Sequence, residues 1–502
     1  MLLAELVDTW DAVRDTRSRK AKIELLASRL EQLDDSEIEI GVSFLAGEPR
    51  QGRLGVGYRT LYDTAVPAAG RPTLTLTVVD DAFQQLTRVG GPGSKSRRAE
   101  LLEELLGRAT EPEQAFFRGL ILGELRQGAL EGVMVEAIAS ASGASATAVR
   151  RALMLSGSLP QAGAAALRQG ETALARFRLT LFVPIKPMLA QTAGSVEEAL
   201  SKIGAASVEA KYDGARVQVH RHGDRVAVYT RNLRDITNSV PELAEAVREL
   251  KAESLILDGE AMSFFSDGTP EAFQDTISRF AQQESGGGLV GVFFDCLHLD
   301  GRDLIDLPSR ERFSELAAVA GDLVVSRLAT DDPEEAKDFY DDALAQGQEG
   351  VMVKDLDAPY QAGRRGAAWL KVKPAHTLDL VVLGVEWGSG RREGWLSNLH
   401  LGARDPTTGG FVMLGKTFKG LTDEMLAWQT ERFLQLKERE DGRVVYVRPE
   451  QVVEVAFDGV QGSPRYPGGV ALRFARVKRY RDDKAADETD TIDAVRALRK
   501  GG

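Results

Sequence analysis

The chain has 502 residues, 43% hydrophobic and 27% charged, and its 63 Lys and Arg against 75 Asp and Glu leave a net charge of −12. That length exceeds one ordinary core and predicts three domains, while no stretch approaches the roughly 18–20 apolar residues of a membrane span. A lone cysteine, Cys296, excludes an intramolecular disulfide and a cysteine-rich zinc module; with an acid early in Met1-Leu2-Leu3-Ala4-Glu5 and no cationic leader, a cytoplasmic location is expected.

Residues 1–180 read as a helical domain. Leu101-Leu102, Leu105-Leu106, Phe116, Leu120, Ile121 and Leu125 recur at the three- to four-residue spacing of one buried helix face. Gly47-Glu48-Pro49, Gly90-Gly91-Pro92-Gly93 and Gly157-Ser158-Leu159-Pro160 punctuate the helices. Ser94-Lys95-Ser96-Arg97-Arg98 reads as a loop before a helix, where free backbone N–H groups favour phosphate. A solvated cap with basic decoration explains the same residues.

After Leu181-Phe182-Val183-Pro184-Ile185-Lys186-Pro187 the period shortens to two, and residues 181–375 read as a mixed α+β domain. Val217 and Val219, the turn His222-Gly223-Asp224, then Val226 and Val228 predict a hairpin. Leu255-Ile256-Leu257 and residues 290–294 predict buried strands, with a helix over 240–251 before the first of them. Residues 376–502 predict a small barrel of the OB type, from strands at 378–385, 411–418 and 452–457 and a helix near 421–437. The tail from Lys484 reads as polar, helical or frayed. Residues 473–484 hold six cations (Arg473, Arg476, Lys478, Arg479, Arg481, Lys484) against Asp482 and Asp483, and a phosphate backbone meets local rather than total charge.

Charged clusters follow one another from Lys211-Tyr212-Asp213-Gly214-Ala215-Arg216 onward: Arg231-Asn232, Asp258-Gly259-Glu260, Phe294-Asp295, Glu349-Gly350, Lys371-Val372-Lys373 and Arg481-Asp482-Asp483-Lys484. A lysine amine is nucleophilic only when burial or nearby cations lower its pKa from about 10.4. Gly214 permits close backbone approach, and Arg216 suits a ribose hydroxyl or a phosphate. Glu260 ends an apolar strand, a costly place for a carboxylate without a ligand. Lys371 and Lys373 project to one strand face, so solvent or an anion must offset their repulsion. Taken singly, each cluster also has a bland reading as a surface turn, a strand end or a core phenylalanine.

In their order these clusters resemble the six motifs of the covalent nucleotidyltransferases: ATP-dependent DNA ligases, RNA ligases and mRNA capping enzymes. Lys-x-Asp-Gly-x-Arg behind a long helical domain resembles the DNA ligases of the archaeal and eukaryotic replicative type. Leu125-Arg126-Gln127-Gly128 and Phe44-Leu45-Ala46-Gly47-Glu48 resemble that family's DNA-binding domain. Size and Ala/Arg/Gly-rich composition are most similar to the actinobacterial ligase B group.

The resemblance implies that Lys211 attacks the α-phosphate of ATP and carries AMP, which passes to a 5′-phosphate at a nick in duplex DNA. It implies Glu209 and Phe294 at the adenine, Arg216 and Arg231 at ribose and 5′-phosphate, and Glu260 at the ribose or a metal. Glu349 would hold Mg²⁺, Arg365, Lys371 and Lys373 would meet phosphates, and Arg481, Asp483 and Lys484 would orient the pyrophosphate. A monomer that encircles DNA is expected. Thr230 for the commoner serine and Ala475 for a proline are small departures. An RNA ligase or capping-type enzyme, or an inactive nick-binding clamp, are the alternatives. The helical domain speaks against the first, and the full set of charged residues against the second.

Overall fold

The computed structural model describes residues 1–64, 66–125, 131–263, 289–361, 365–374, 376–389 and 392–499, without the side chains of 365–367. Helices from Leu3–Asp15 to Glu171–Leu174 build the N-terminal region. Their apolar faces share one core, in which Phe44, Phe83, Phe116 and Phe117 are fully buried. Ser18, Thr75 and Ser145 cap helix starts by accepting from Ala21, Val78 and Ala148 N–H. The expected loop at 94–98 is instead the opening of the helix Ser94–Gly107, because Gly93 in the left-handed region turns the chain one residue earlier. Most of Leu125-Arg126-Gln127-Gly128 lies outside the described residues.

The central region has two five-stranded sheets. One orders β1 (Leu189–Thr192), β10 (Arg365–Val372), β9 (Gly350–Asp355), β2 (Ala206–Lys211) and β8 (Arg327–Thr330); the other orders β4 (Arg225–Thr230), β3 (Ala215–His222), β5 (Ser254–Met262), β6 (Val290–Leu299) and β7 (Arg302–Asp303). The expected hairpin is β3–β4, and the helix expected over 240–251 spans Pro241–Arg248. Arg312 is fully buried in a fork to Asp295 at 2.7 and 2.9 Å. Cys296 beside it is buried as well, and desolvation holds its thiol well above the ordinary range.

Helical and central regions meet through apolar packing. Met154 and Leu155 join Ile185, Ile256, Leu297 and Trp369 in one cluster, and Arg151 forks onto Asp306 at 2.7 Å.

In the C-terminal region a seven-stranded sheet runs β13 (Phe411–Thr417), β12 (Leu396–Arg404), β11 (His376–Trp387), β15 (Val444–Val447), β14 (Lys437–Asp441), with β16 (Val452–Phe457) bridging β11 to the strand Arg476–Tyr480. The helix Asp423–Gln435 plugs it with Leu426 and Phe433. The strands expected at 378–385, 411–418 and 452–457 are β11, β13 and β16, and among the described residues the sheet has four more. β14 escapes because Lys-Glu-Arg-Glu-Asp is exposed throughout, and β12 because seven of its nine residues are buried and alternation vanishes. The tail is docked rather than frayed: Ile492 and Val495 of the helix Ile492–Ala497 enter the core.

Candidate active site

Alternation on β2 puts Ser207, Glu209 and Lys211 on one face, opposite Lys354, Met352 and Gly350 of β9. Lys211 therefore ends one strand, four residues before β3, rather than lying in a loop. Its carbonyl accepts the Glu349 N–H at 2.9 Å, which brings the carboxylate alongside the amine. Gly350 has φ +145°, and a Cβ there would lie 2.2 Å from the Val372 carbonyl oxygen, so only glycine lets β9 run this close to the strand that carries Lys371 and ends just before Lys373. Gly214 likewise packs where a Cβ would lie 2.6 Å from the Ala261 carbonyl, pressing the nucleophile's turn onto β5 and Glu260.

Four ionised groups converge. Lys211 Nζ is 2.5 Å from Glu349 Oε2, Lys373 pairs with Glu349 Oε1, and Lys373 also reaches Asp458 at 3.7 Å. Burial pulls the Lys211 pKa down, but Glu349, Glu260 and Asp213 outweigh it and hold the ammonium above its ordinary value. This corrects the expectation of a lowered pKa: carboxylates, not cations, are its near neighbours. Burial pushes Glu260 up to about 7, against the pull of Lys211 and Arg216. Burial is the main influence drawing Lys371 down; Lys373 adds the like-charge repulsion expected from its spacing, and Lys211 adds more.

The adjoining wall is apolar and tightly tied. Phe294 stands edge-on to Trp369 with ring centres 6.0 Å apart, and Arg216 lies over both rings. Arg216 forks onto Asp258 at 3.0 and 2.6 Å and donates to the Met188 carbonyl, while Tyr360 Oη donates to Asp258 at 2.7 Å. Asp258 thus positions Arg216, a role that its place in Asp258-Gly259-Glu260 did not reveal. Glu209 is buried against Lys354 and Ser207. Lys211, Glu260, Glu349 and Lys373 are therefore brought together, Lys371 is coupled to them, and Glu209, Arg216 and Phe294 flank them.

Other expected residues are not gathered there. Arg231 is exposed in the turn after β4, and Arg365 starts β10 with its side chain outside the described residues. Arg481, Asp483 and Lys484 form a separate knot: Arg481 meets Asp379 at 2.9 Å and Asp483 at 2.8 Å, and Lys484 meets Asp379 at 2.7 Å. From the barrel it is Arg473 that reaches the nucleophile's loop, pairing with Asp213 at 2.8 Å, and Asp458 that faces Lys373. Arg473 was visible only as one of six cations, and nothing flagged Asp458.

Family models for the "ATP dependent DNA ligase domain", the "ATP dependent DNA ligase C terminal region" and the "DNA ligase N terminus" match residues 187–373, 392–484 and 68–139. A "Probable DNA ligase" of Saccharopolyspora erythraea is 57% identical over 500 residues, covering 99% of this chain and 98% of that protein. The chain belongs to the ATP-dependent DNA ligase family. A "Probable DNA ligase" of Mycolicibacterium gilvum is 54% identical over 512 residues, with both chains covered in full. The solved chain named "Pmar-Lig_PreS3" shares the fold at TM-score 0.65 and 19% identity, over 95% of this chain and 99% of that one. As a family member this DNA ligase is an enzyme that uses ATP, and a lysyl-AMP intermediate is the family's general mechanism. No helix among the described residues is long and apolar enough to cross a membrane.

Proposed function

We propose that this ligase seals 3′-hydroxyl/5′-phosphate nicks in duplex DNA with Lys211 as its AMP carrier. The Lys211 amine attacks the α-phosphorus of ATP; an N–P bond forms, the bond to the pyrophosphate oxygen breaks and the amine loses a proton. AMP then passes to the 5′-phosphate oxygen at the nick and frees Lys211. Finally the 3′-hydroxyl loses its proton and attacks the phosphorus of that 5′-phosphate; a phosphodiester bond forms and the bond to AMP breaks. All three are phosphoryl transfers in which position and charge neutralisation supply most of the rate.

Supporting this reading is one observation above the rest: the Lys211 amine, Glu349, Glu260 and Lys373 meet in one largely buried cluster beside Phe294. Lys371 and Lys373 offset phosphate charge, and Glu209 and Phe294 face the base. Arg216, held by Asp258, and Arg231 serve ribose and 5′-phosphate, with Arg365 at the phosphates. Arg481, Asp483 and Lys484 serve pyrophosphate only after the barrel turns their knot toward Lys211, a lid motion that separates step one from the rest. The domain limits 1–180, 181–375 and 376–502 belong to this proposal, as do a monomeric state and action in the cytoplasm.

No cluster of three or more metal-type ligands occurs among the described residues. Glu260 and Glu349 fit Mg²⁺, which typically takes one or two carboxylates plus phosphate oxygens and water. When bound, Mg²⁺ would neutralise phosphate charge and compete for Glu349, leaving burial as the main influence on Lys211. Incubation with α-labelled ATP and Mg²⁺ should label the protein. Lys211→Ala should remove the label altogether; a labelled mutant would refute the assignment.

A further inference from the structure

Lys354 is a buried cation that the chemistry above leaves unused. It sits on β9 directly across from Ser207, one step along from Glu209 on the same sheet face. Its side chain is 2% exposed and that of Glu209 is 3% exposed, a depth at which a charge persists only with a partner. The ammonium lies 2.5 Å from Glu209 Oε2 and donates to the Phe294 carbonyl at 3.3 Å. It is also 4.6 Å from the centre of the Phe294 ring and 4.4 Å from that of Trp369. Ser207 Oγ donates to the other Glu209 oxygen at 2.9 Å. One side chain therefore grips both the carboxylate and the backbone of the aromatic residue assigned to the base.

We propose that Lys354 is the positioning residue for purine selection: with Ser207 it fixes Glu209 as an acceptor-only edge that admits a 6-amino purine and rejects a 6-oxo purine. The proposal rests on the reading of Glu209 and Phe294 as the nucleobase contacts. Each carboxylate oxygen has two acceptor directions. Ser207 and Lys354 take one from each, and the remaining ones match an exocyclic N–H donor and oppose a carbonyl oxygen. A lysine that merely filled the core would affect every nucleotide alike.

Full-length protein is labelled with α-labelled ATP or GTP over a range of concentrations. Lys354→Met frees Glu209 to turn, so the KM for ATP should rise and the ATP-to-GTP efficiency ratio should fall about tenfold or more, the scale of one charged hydrogen bond. Lys354→Arg keeps the charge and should recover part of that ratio. If Lys354→Met does not fold, Glu209→Gln with Lys354→Met leaves no unpaired buried charge; its amide can donate as well as accept, so GTP should gain on ATP. In the unaltered protein, inosine triphosphate, a 6-oxo purine, should label at least about tenfold less efficiently than ATP. Equal losses for ATP and GTP in the variants, or equal labelling by inosine triphosphate and ATP, would overturn the proposal. Failure of the unaltered protein to take label from ATP would instead strike the reading of Lys211.

Discussion

Lys211 carries two opposing influences whose balance sets its protonation. The sequence places Asp213 and Glu349 in separate clusters, and only the pairing of β2 with β9 makes Glu349 a neighbour. Residue types were therefore legible where a local run carried them, as at Lys211 and Glu260, while partnerships made through sheet register were not. The roles of Asp258 and Lys354 were missed for that reason, while Asp458 lies between strands and meets Lys373 only through the docking of the barrel. Glu386 shows the same dependence on register and gives a pH prediction. Burial raises its pKa, but hydrogen bonds from Lys416, His400 and Asn398 outweigh it and bring it down to about 2. A depressed carboxyl stabilises the fold above its unfolded value near 4.5 and loses that contribution as pH falls toward 2. Thermal melts of the native chain and Glu386→Gln should accordingly differ most above pH 4.5 and converge near pH 2; a constant gap would contradict the assignment.

β3 was readable because Val217 and Val219 alternate with Arg216, Gln218 and His220 in the sequence, and β4 followed across the turn, although each strand has four consecutive buried residues. Strands buried on both faces, such as β12, and fully exposed ones, such as β14, give no period-two signal and emerge only from pairing. β6 depends on another kind of support that sequence does not display. Its Asp295 is satisfied by Arg312 from the helix Ser309–Ala320, and Arg312 also donates to the Leu307 and Ala358 carbonyls. Arg312→Met should strand a buried carboxylate and cost about 3–5 kcal/mol in chemical denaturation. Removing both charges with Asp295→Asn and Arg312→Met should cost less than the single change; equal losses would mean that packing, not charge, dominates.

At the scale of the whole molecule, the proposed nick binding rests on local cations, such as the six within residues 473–484, on a chain of net charge −12, so it should depend steeply on salt. Between 50 and 200 mM, affinity should fall by roughly 10³-fold or more if six or more phosphates are neutralised. A flat response in a binding titration would exclude phosphate-dominated recognition. The barrel is held to the nucleophile's loop by Arg473 and Asp213, a partly exposed pair of the kind worth about 0.2–1 kcal/mol. Arg473→Ala should then shift the barrel's docked population by only a few-fold, which a distance measurement between regions can resolve.

The single cysteine makes such a measurement straightforward. Cys296 is enclosed and its thiol resists ionisation, so maleimide dyes would pass it by. Cysteines introduced at exposed Gln85 and Thr407 would take a donor and an acceptor in an otherwise natural sequence. Single-molecule fluorescence could then time each departure and return of the barrel against the arrival of nucleotide and nick.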